Sequence, residues 1–311
     1  MKRTPLLASL AVVAVMALAG CGGGDEALDT DNDSDSGSGD SQEIVVGSAN
    51  FPENILLGEI YTGALDGAGL EATHRANIGS REAYLPGMLD GSLQVFPEYT
   101  GVLRDYFALE SGDKMTASDS EGVYAELQEQ LPPELEVLPF SEAEDKDAVV
   151  VTSETAEEYD LQSIGDLAPV AGDLTLGGPP EWKERQTGLP GLEDVYGVVF
   201  GKYVVKDAGG PLTLDALLND EIQAGNLFST NPSIAAEDLV VLDDPDSLFA
   251  AQNVVPLVAA DSMSPELEDA LNGVSEALNT DNLSDMVTRV VIDKEDPEDV
   301  AEDFLTENNL N

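Results

Sequence analysis

An α/β fold is predicted from three observations. Short apolar runs of strand type alternate with segments of helical spacing, Gly, Pro, Asn and Asp punctuate them, and the chain has 311 residues with a 42% hydrophobic share. That length suits one large domain or two medium ones, with a core that needs no disulfide support. Ile44-Val45-Val46-Gly47 reads as the first, buried-type strand. Pro52 to Leu70 follows as a helix, because Ile55, Leu56, Ile60, Ala64 and Leu65 fall at helical spacing and Gly67 and Gly69 stand near its end. Glu71 to Ile78 is a second strand, Arg81 to Leu89 a second helix and Gln94-Val95-Phe96 a third strand. Further strands are expected at Ala148 to Val151, Leu174 to Leu176, Val195 to Phe200, Leu239 to Leu242 and Val254 to Val258. Helices are expected at Pro180 to Gln186, Leu212 to Asn219, Pro265 to Asn279, Ser284 to Val291 and Asp296 to Thr306. Strands and helices of this length in alternation imply parallel sheets with helices packed on their faces.

The N-terminus has a different grammar. Lys2 and Arg3 precede an apolar run from Leu6 to Ala19, the pattern of a secretory signal. The run is shorter than the ~20 apolar residues that span a bilayer. Small residues then lead into Cys21, and Leu18-Ala19-Gly20-Cys21 resembles the lipobox of bacterial lipoproteins. In that class cleavage before the cysteine makes it the lipidated N-terminus. The expectation is therefore a signal over 1–20 and lipid on Cys21, which would place the mature protein outside the cytoplasm, anchored to the cell membrane. The competing reading is an ordinary secretory signal followed by a free or intermolecularly bonded thiol; a lone cysteine makes no internal disulfide. From 21 to 42 the chain carries Gly, Ser, Asn and many Asp without apolar periodicity, the composition of an extended acidic tether. Calcium binding there is the weaker alternative, because an EF-hand loop's central glycine and terminal glutamate are missing.

Sixty-two acidic residues face 13 basic ones, for a formal net charge of -49. Such a field repels nucleic acid and anionic lipid, so neither is an expected partner. A dense carboxylate surface with few lysines stays hydrated in concentrated salt, and is equally the surface of a generally acidic extracytoplasmic protein. One histidine, His74, and one cysteine exclude the usual zinc clusters. No Gly-x-Ser-x-Gly elbow lies near His74, which reads as an ordinary surface residue in a strand. Neither a Walker loop nor Gly-x-Gly-x-x-Gly occurs. In so acidic a chain a carboxylate pair carries almost no information about glycosidase chemistry. No enzymatic activity, cofactor or metal is expected.

Three segments carry a positive signal. They are Val46-Gly47-Ser48-Ala49-Asn50-Phe51-Pro52-Glu53-Asn54 leading into Leu57-Gly58-Glu59, then Phe96-Pro97-Glu98-Tyr99-Thr100-Gly101, then Gly177-Gly178-Pro179-Pro180-Glu181-Trp182 through Leu189-Pro190-Gly191-Leu192 to Val195-Tyr196-Gly197. Together with Phe228-Ser229-Thr230-Asn231 and Asp238 to Asp244, they resemble the substrate-binding lipoproteins of osmoprotectant ABC importers, the glycine betaine/carnitine/choline type. The resemblance covers essentially 43–311, and Pro-Glu-Tyr-Thr-Gly is its most specific block.

The resemblance implies a two-lobed periplasmic-binding-protein fold of type II, with the ligand cleft between lobes. One lobe would comprise 43–147 plus 247–311, and the other 148–246, with crossings near Ala148 and Asp246. It also implies a quaternary ammonium held among aromatic faces and a solute carboxylate held by positive and hydrogen-bonding groups. By position, Tyr99 and Phe228 fit aromatic walls, Arg185 fits the carboxylate-binding arginine, and Asn54 offers a hydrogen bond. Four positions depart from the pattern. Asp147 and Gln252 stand where aromatics are common, Ala49 replaces a common lysine and Val102 a small polar residue. Asp147 suggests a substitute, pairing directly with the ammonium of a zwitterion or cation.

Each of these residues has a structural rival role. Tyr99 competes as a core tyrosine with a bonded hydroxyl, Phe228 as plain core, Arg185 as a structural ion pair and Asp147 as a solvated carboxylate. Trp182 reads as a packing anchor and Tyr196 as core. The function expected is capture of a compatible solute by a monomeric receptor serving an ABC permease and ATPase. The alternatives are a sensory lipoprotein without a transport partner, or a receptor for another small amine or amino acid.

Overall fold

The computed structural model of the protein describes residues 43–112 and 114–311. The expected signal, Cys21 and the acidic tether lie outside the described residues. The chain runs β1 (Ile44–Gly47), α1 (Pro52–Gly67), β2 (Ala72–Arg75), α2 (Arg81–Asp90), β3 (Val95–Tyr99), α3 (Thr100–Ser111), α4 (Ser120–Gln130) and β4 (Leu135–Val137). It continues through β5 (Asp147–Thr152), α5 (Ser153–Tyr159), β6 (Thr175–Gly178), a 3-10 turn at Pro180–Lys183, α6 (Leu189–Tyr196), β7 (Lys202–Val205), α7 (Pro211–Leu218), β8 (Ala224–Phe228), α8 (Ser233–Ala236) and β9 (Leu239–Val241). It returns as β10 (Val254–Ala259), α9 (Pro265–Ala277), α10 (Thr280–Val291) and α11 (Pro297–Asn308).

The described residues form two five-stranded sheets, ordered β2-β1-β3-β10-β4 and β7-β6-β8-β5-β9. The pattern is the same in both. Three strands are mutually parallel, and one antiparallel strand lies between them and an edge strand. That antiparallel strand is in each case the one entered directly from the other sheet: β5 on the outward crossing and β10 on the return. The sheets are therefore mixed, not wholly parallel as the alternation implied. A crossover helix between strands of one sheet fixes a parallel pair, but no such helix precedes β5 or β10.

Most expected elements are present, and three differ: the helix expected at Pro180 to Gln186 is only a 3-10 turn over Pro180–Lys183, and two others differ for identifiable reasons. The strand expected at Val195 to Phe200 does not exist, because Val195 and Tyr196 end α6. Pro190 in the first turn and left-handed Gly197 (φ 68°) just past the last are start and stop signals of a helix. The third strand does not stop at Phe96 but runs on through Pro97 to Tyr99, where Pro97 faces Pro256 of β10 in register. The carbonyls of this proline pair turn to other partners. Asn54 Nδ2 donates to Pro97 O at 2.8 Å, and Leu138 N to Pro256 O at 3.0 Å. Prolines are thus tolerated in central strands here because they face one another.

The core of the first sheet is completed by the C-terminal helices. Leu267, Leu271, Val274, Leu283, Phe304 and Leu305 pack with Leu56, Ile60 and Leu65 of α1. Ser264 caps α9 by accepting from Leu267 N, and Asn279 with Asn282 forms a capping box at α10. A separate core lies on the second sheet, built from Val149, Val151, Leu176, Trp182, Leu192 and Phe249. Among the described residues no helix is long and apolar enough to cross a membrane.

Candidate ligand-binding site

A cavity of about 200 Å3 opens where the carboxyl ends of β1, β3, β6, β7 and β8 converge. This is where open α/β sheets place their ligands. Asn54, Tyr99, Asp147, Arg185, Phe228 and Gln252, all expected site residues, line it. The sequence reading missed Phe51, Arg81, Glu98 and Asp145 as lining residues, and treated Trp182 as packing alone. Phe51 lay within the first family segment, so position in that segment was the available signal.

Three of the aromatic rings lining the cavity form a contiguous set. Phe51 follows β1 and its ring lies 4.9 Å from that of Phe228, at the end of β8 on the other sheet. Tyr99 ends β3, with its ring 6.1 Å from Phe51. Its hydroxyl donates to Glu53 Oε1 at 2.7 Å, so Tyr99 combines the two roles that competed in sequence, a bonded core tyrosine and a cavity wall. Gly101, two residues on, lets α3 approach the returning segment. A Cβ there would meet Ala251 O at 2.5 Å, with Gln252 Cγ at 3.3 Å.

Asp147, the first residue of β5, is only 8% exposed, so the solvated reading is corrected. Asn226 Nδ2 donates to its Oδ1 at 2.8 Å. Burial raises its pKa, while the bond from Asn226 and the more distant Arg185 and Arg81 act the other way. Asn54 has both ends of its amide engaged, Oδ1 accepting from Ala49 N at 2.7 Å and Nδ2 donating to Pro97. It ties the loop after β1 to β3 and so shapes the cavity floor.

Two arginines line the cavity, and each meets a carboxylate. Arg81 Nε and Nη2 donate to Glu98 Oε1 and Oε2, both at 2.7 Å, with the pair 7% and 1% exposed. Tyr84 OH and Tyr99 N complete the acceptance at Glu98. Arg185 donates through Nε and Nη2 to Glu82, at 2.9 Å for Nη2 to Oε2. Glu82 belongs to α2 beside the first sheet and Arg185 follows β6 of the second, so this ion pair spans the cleft. The structural ion pair weighed for Arg185 in sequence is thus present.

A second bridge lies deeper. Thr230 OH donates to Glu53 Oε2 at 2.5 Å, and Thr230 N to Asp145 Oδ1 at 3.0 Å. Burial pushes both carboxyls up, Asp145 well above its ordinary value, with mutual repulsion adding to it there. The folded state therefore holds more protons than the unfolded chain above the ordinary values of 3.8 and 4.5. Stability from this pair is fully present below those values and is lost as pH rises through the raised ones. The ligand-free protein should accordingly melt at a higher temperature in mild acid than at neutral pH, and Glu53→Gln should flatten that dependence. A melt that falls steadily on mild acidification would contradict the assignment.

His74 is not the surface residue expected. Its ring is 6% exposed, with Nδ1 2.7 Å from Glu59 Oε1 and Nε2 2.8 Å from Ser48 Oγ. The connectivity is that of a serine–histidine–carboxylate triad, but Ser48 is fully buried beside β1 and does not line the cavity. The row joins β1, α1 and β2 below the site and gives a substrate no access to the hydroxyl. Among the described residues no cluster of His, Cys, Asp and Glu is arranged to hold a metal.

Comparison with known proteins agrees with this geometry. The family model of the substrate-binding domain of ABC-type glycine betaine transport systems matches residues 42–307. A glycine-betaine-binding protein of Pseudomonas aeruginosa is 26% identical over 282 residues, covering 87% of this chain and 89% of its own. The glycine betaine-binding protein YehZ of Escherichia coli is 25% identical over 275 residues, covering 84% and 89%. A crystal structure of a glycine betaine/carnitine/choline ABC transporter protein superposes with a TM-score of 0.66 at 22% identity, covering 86% of this chain and 99% of that one. The fold is that of the type II periplasmic binding proteins, and the chain belongs to the family of substrate-binding domains of ABC-type glycine betaine transport systems.

Proposed function

We propose that this protein captures a small compatible solute outside the cytoplasm and hands it to an ABC permease driven by its ATPase. The observation that carries the reading is the convergence of Phe51, Tyr99, Phe228 and buried Asp147 on one small cavity. Aromatic faces attract an organic ammonium by about 0.5–2 kcal/mol per good contact. Glycine betaine, choline and carnitine, the solutes named for its relatives, are the first candidates. Asn54 and Gln252 frame the site, and Arg185 with Glu82 closes its mouth. The two lobes, 43–147 plus 247–311 and 148–246, would close on the solute by hinge motion, and no covalent chemistry is involved.

In this reading Cys21, following a signal over 1–20, carries lipid, and the acidic segment to residue 42 tethers a monomeric receptor beside its permease at high effective concentration. Mass spectrometry of the mature N-terminus tests the anchor; an unmodified residue 21 refutes it. A thermal-shift screen of glycine betaine, choline, carnitine, proline, ectoine and basic amino acids tests the function. A solute at a hundredfold its Kd should add about 2.7 kcal/mol to stability. If none of them moves the melt, the compatible-solute reading falls.

A further inference from the structure

We infer that the cavity selects a small organic monocation that has no carboxylate of its own, and that Asp147 is the residue that sets this choice. The inference deepens the receptor reading and rests on it. It comes from matching the charges around the cavity. Arg81 is neutralised by Glu98 in a buried two-pronged pair, and Arg185 by Glu82 across the cleft. Each guanidinium keeps Nη1 as a donor, but its charge is already met. Asp147 has no such match: no basic side chain of the described residues lies within ion-pair distance, and the hydrogen bond into its carboxylate from Asn226 is neutral.

An unpaired carboxylate that is 8% exposed is unfavourable until a counter-charge enters. The cavity opens onto that carboxylate, and Phe51, Tyr99 and Phe228 offer it ring faces rather than positive groups. A cation entering here gains the aromatic faces and relieves Asp147 together. A zwitterion gains the same at its ammonium end, yet brings an anion into a space already lined by Glu98, Asp145 and Asp147. Its carboxylate would find only cations that are already charge-matched: Arg81, Arg185 and Lys206, the last paired with Glu221 at 3.0 Å. The raised pKa of Asp147 is the same frustration seen through a proton, which a cation would replace.

Choline and glycine betaine share one trimethylammonium head and differ in what the tail carries, so they isolate the point. Isothermal titration of the intact chain should show choline binding about tenfold tighter or more, the scale of a close charge interaction at a desolvated site. Asp147→Asn, which can still accept the bond from Asn226, should weaken choline about tenfold and glycine betaine clearly less, because for the zwitterion the lost attraction at the ammonium is partly offset by the lost repulsion at its carboxylate. The ligand-free melt checks that the variant is folded, and the wild-type ratio decides the matter even if it is not. Glycine betaine binding as tightly as choline overturns the inference and leaves the receptor reading intact. Equal weakening of both solutes by Asp147→Asn removes Asp147 from the role. If neither binds the wild-type chain, the compatible-solute reading fails and takes this inference with it.

Discussion

Arg81→Met is expected to destabilise the protein by about 3–5 kcal/mol, the scale measured when one partner of a buried ion pair is removed. Glu98 is 1% exposed and receives both prongs of the guanidinium. Burial works against the Arg81 charge, and Glu98 outweighs it, so the guanidinium is held firmly protonated. Methionine fills much of the arginine's volume, but it leaves the carboxylate facing only Tyr84 OH and Tyr99 N. The loss is therefore that of a stranded charge, not of a cavity. Combining Arg81→Met with Glu98→Gln should recover most of it, because glutamine carries no charge, its amide oxygen can accept from Tyr99 N and its amide NH2 can donate to the Tyr84 hydroxyl. The two changes should be strongly non-additive, as expected for residues in direct contact. Denaturant midpoints at unchanged slope provide the measurement. A cost below about 1 kcal/mol for Arg81→Met, the scale of an exposed pair, would show that Glu98 does not depend on this arginine.

The same pair shows what could and could not be read in the chain beforehand. Pro-Glu-Tyr-Thr-Gly stood out as a block, and Tyr99 could be placed in the site because the block is specific. Glu98 could not be given a role, since one glutamate among 62 acidic residues is uninformative until its surroundings are known. Its partner lies 17 positions away on α2, a distance no local periodicity encodes. Asp147 was noticed because it replaced an aromatic, yet its burial follows from β8 and the returning segment packing around it, which is a tertiary fact. Strand and helix positions were largely legible because they depend on neighbours within about four residues along the chain. The direction of β5 and β10 was not, because each enters from the other sheet without a preceding helix in its own. His74 failed for a related reason: its neighbours in sequence are polar, but Glu59 and Ser48, which hold it, come from α1 and the end of β1.

Trp182→Ala should remove a comparable amount, about 3–5 kcal/mol, the range for deleting a large buried aromatic. The indole is 1% exposed and packs in the core of the second sheet, its ring 6.1 Å from Phe249. The short turn that carries it is capped by Pro179 and begins at Pro180, and Trp182 O sits where a Cβ at Gly188 would come within 2.0 Å. The residue is thus fixed by backbone on one side and core on the other, and alanine cannot collapse the space it vacates. Trp182 also forms part of the cavity wall with Pro180 and Glu181, so solute affinity should fall together with stability. Phe249→Ala separates these two consequences. It removes the stacked ring from the same core but does not line the cavity, so it should destabilise the fold by a similar few kcal/mol while leaving affinity close to wild type. Chemical denaturation and calorimetric titration on the two variants decide the point. If Phe249→Ala weakens the solute as much as Trp182→Ala, the wall is held by the core as a unit and the indole has no separate part in binding.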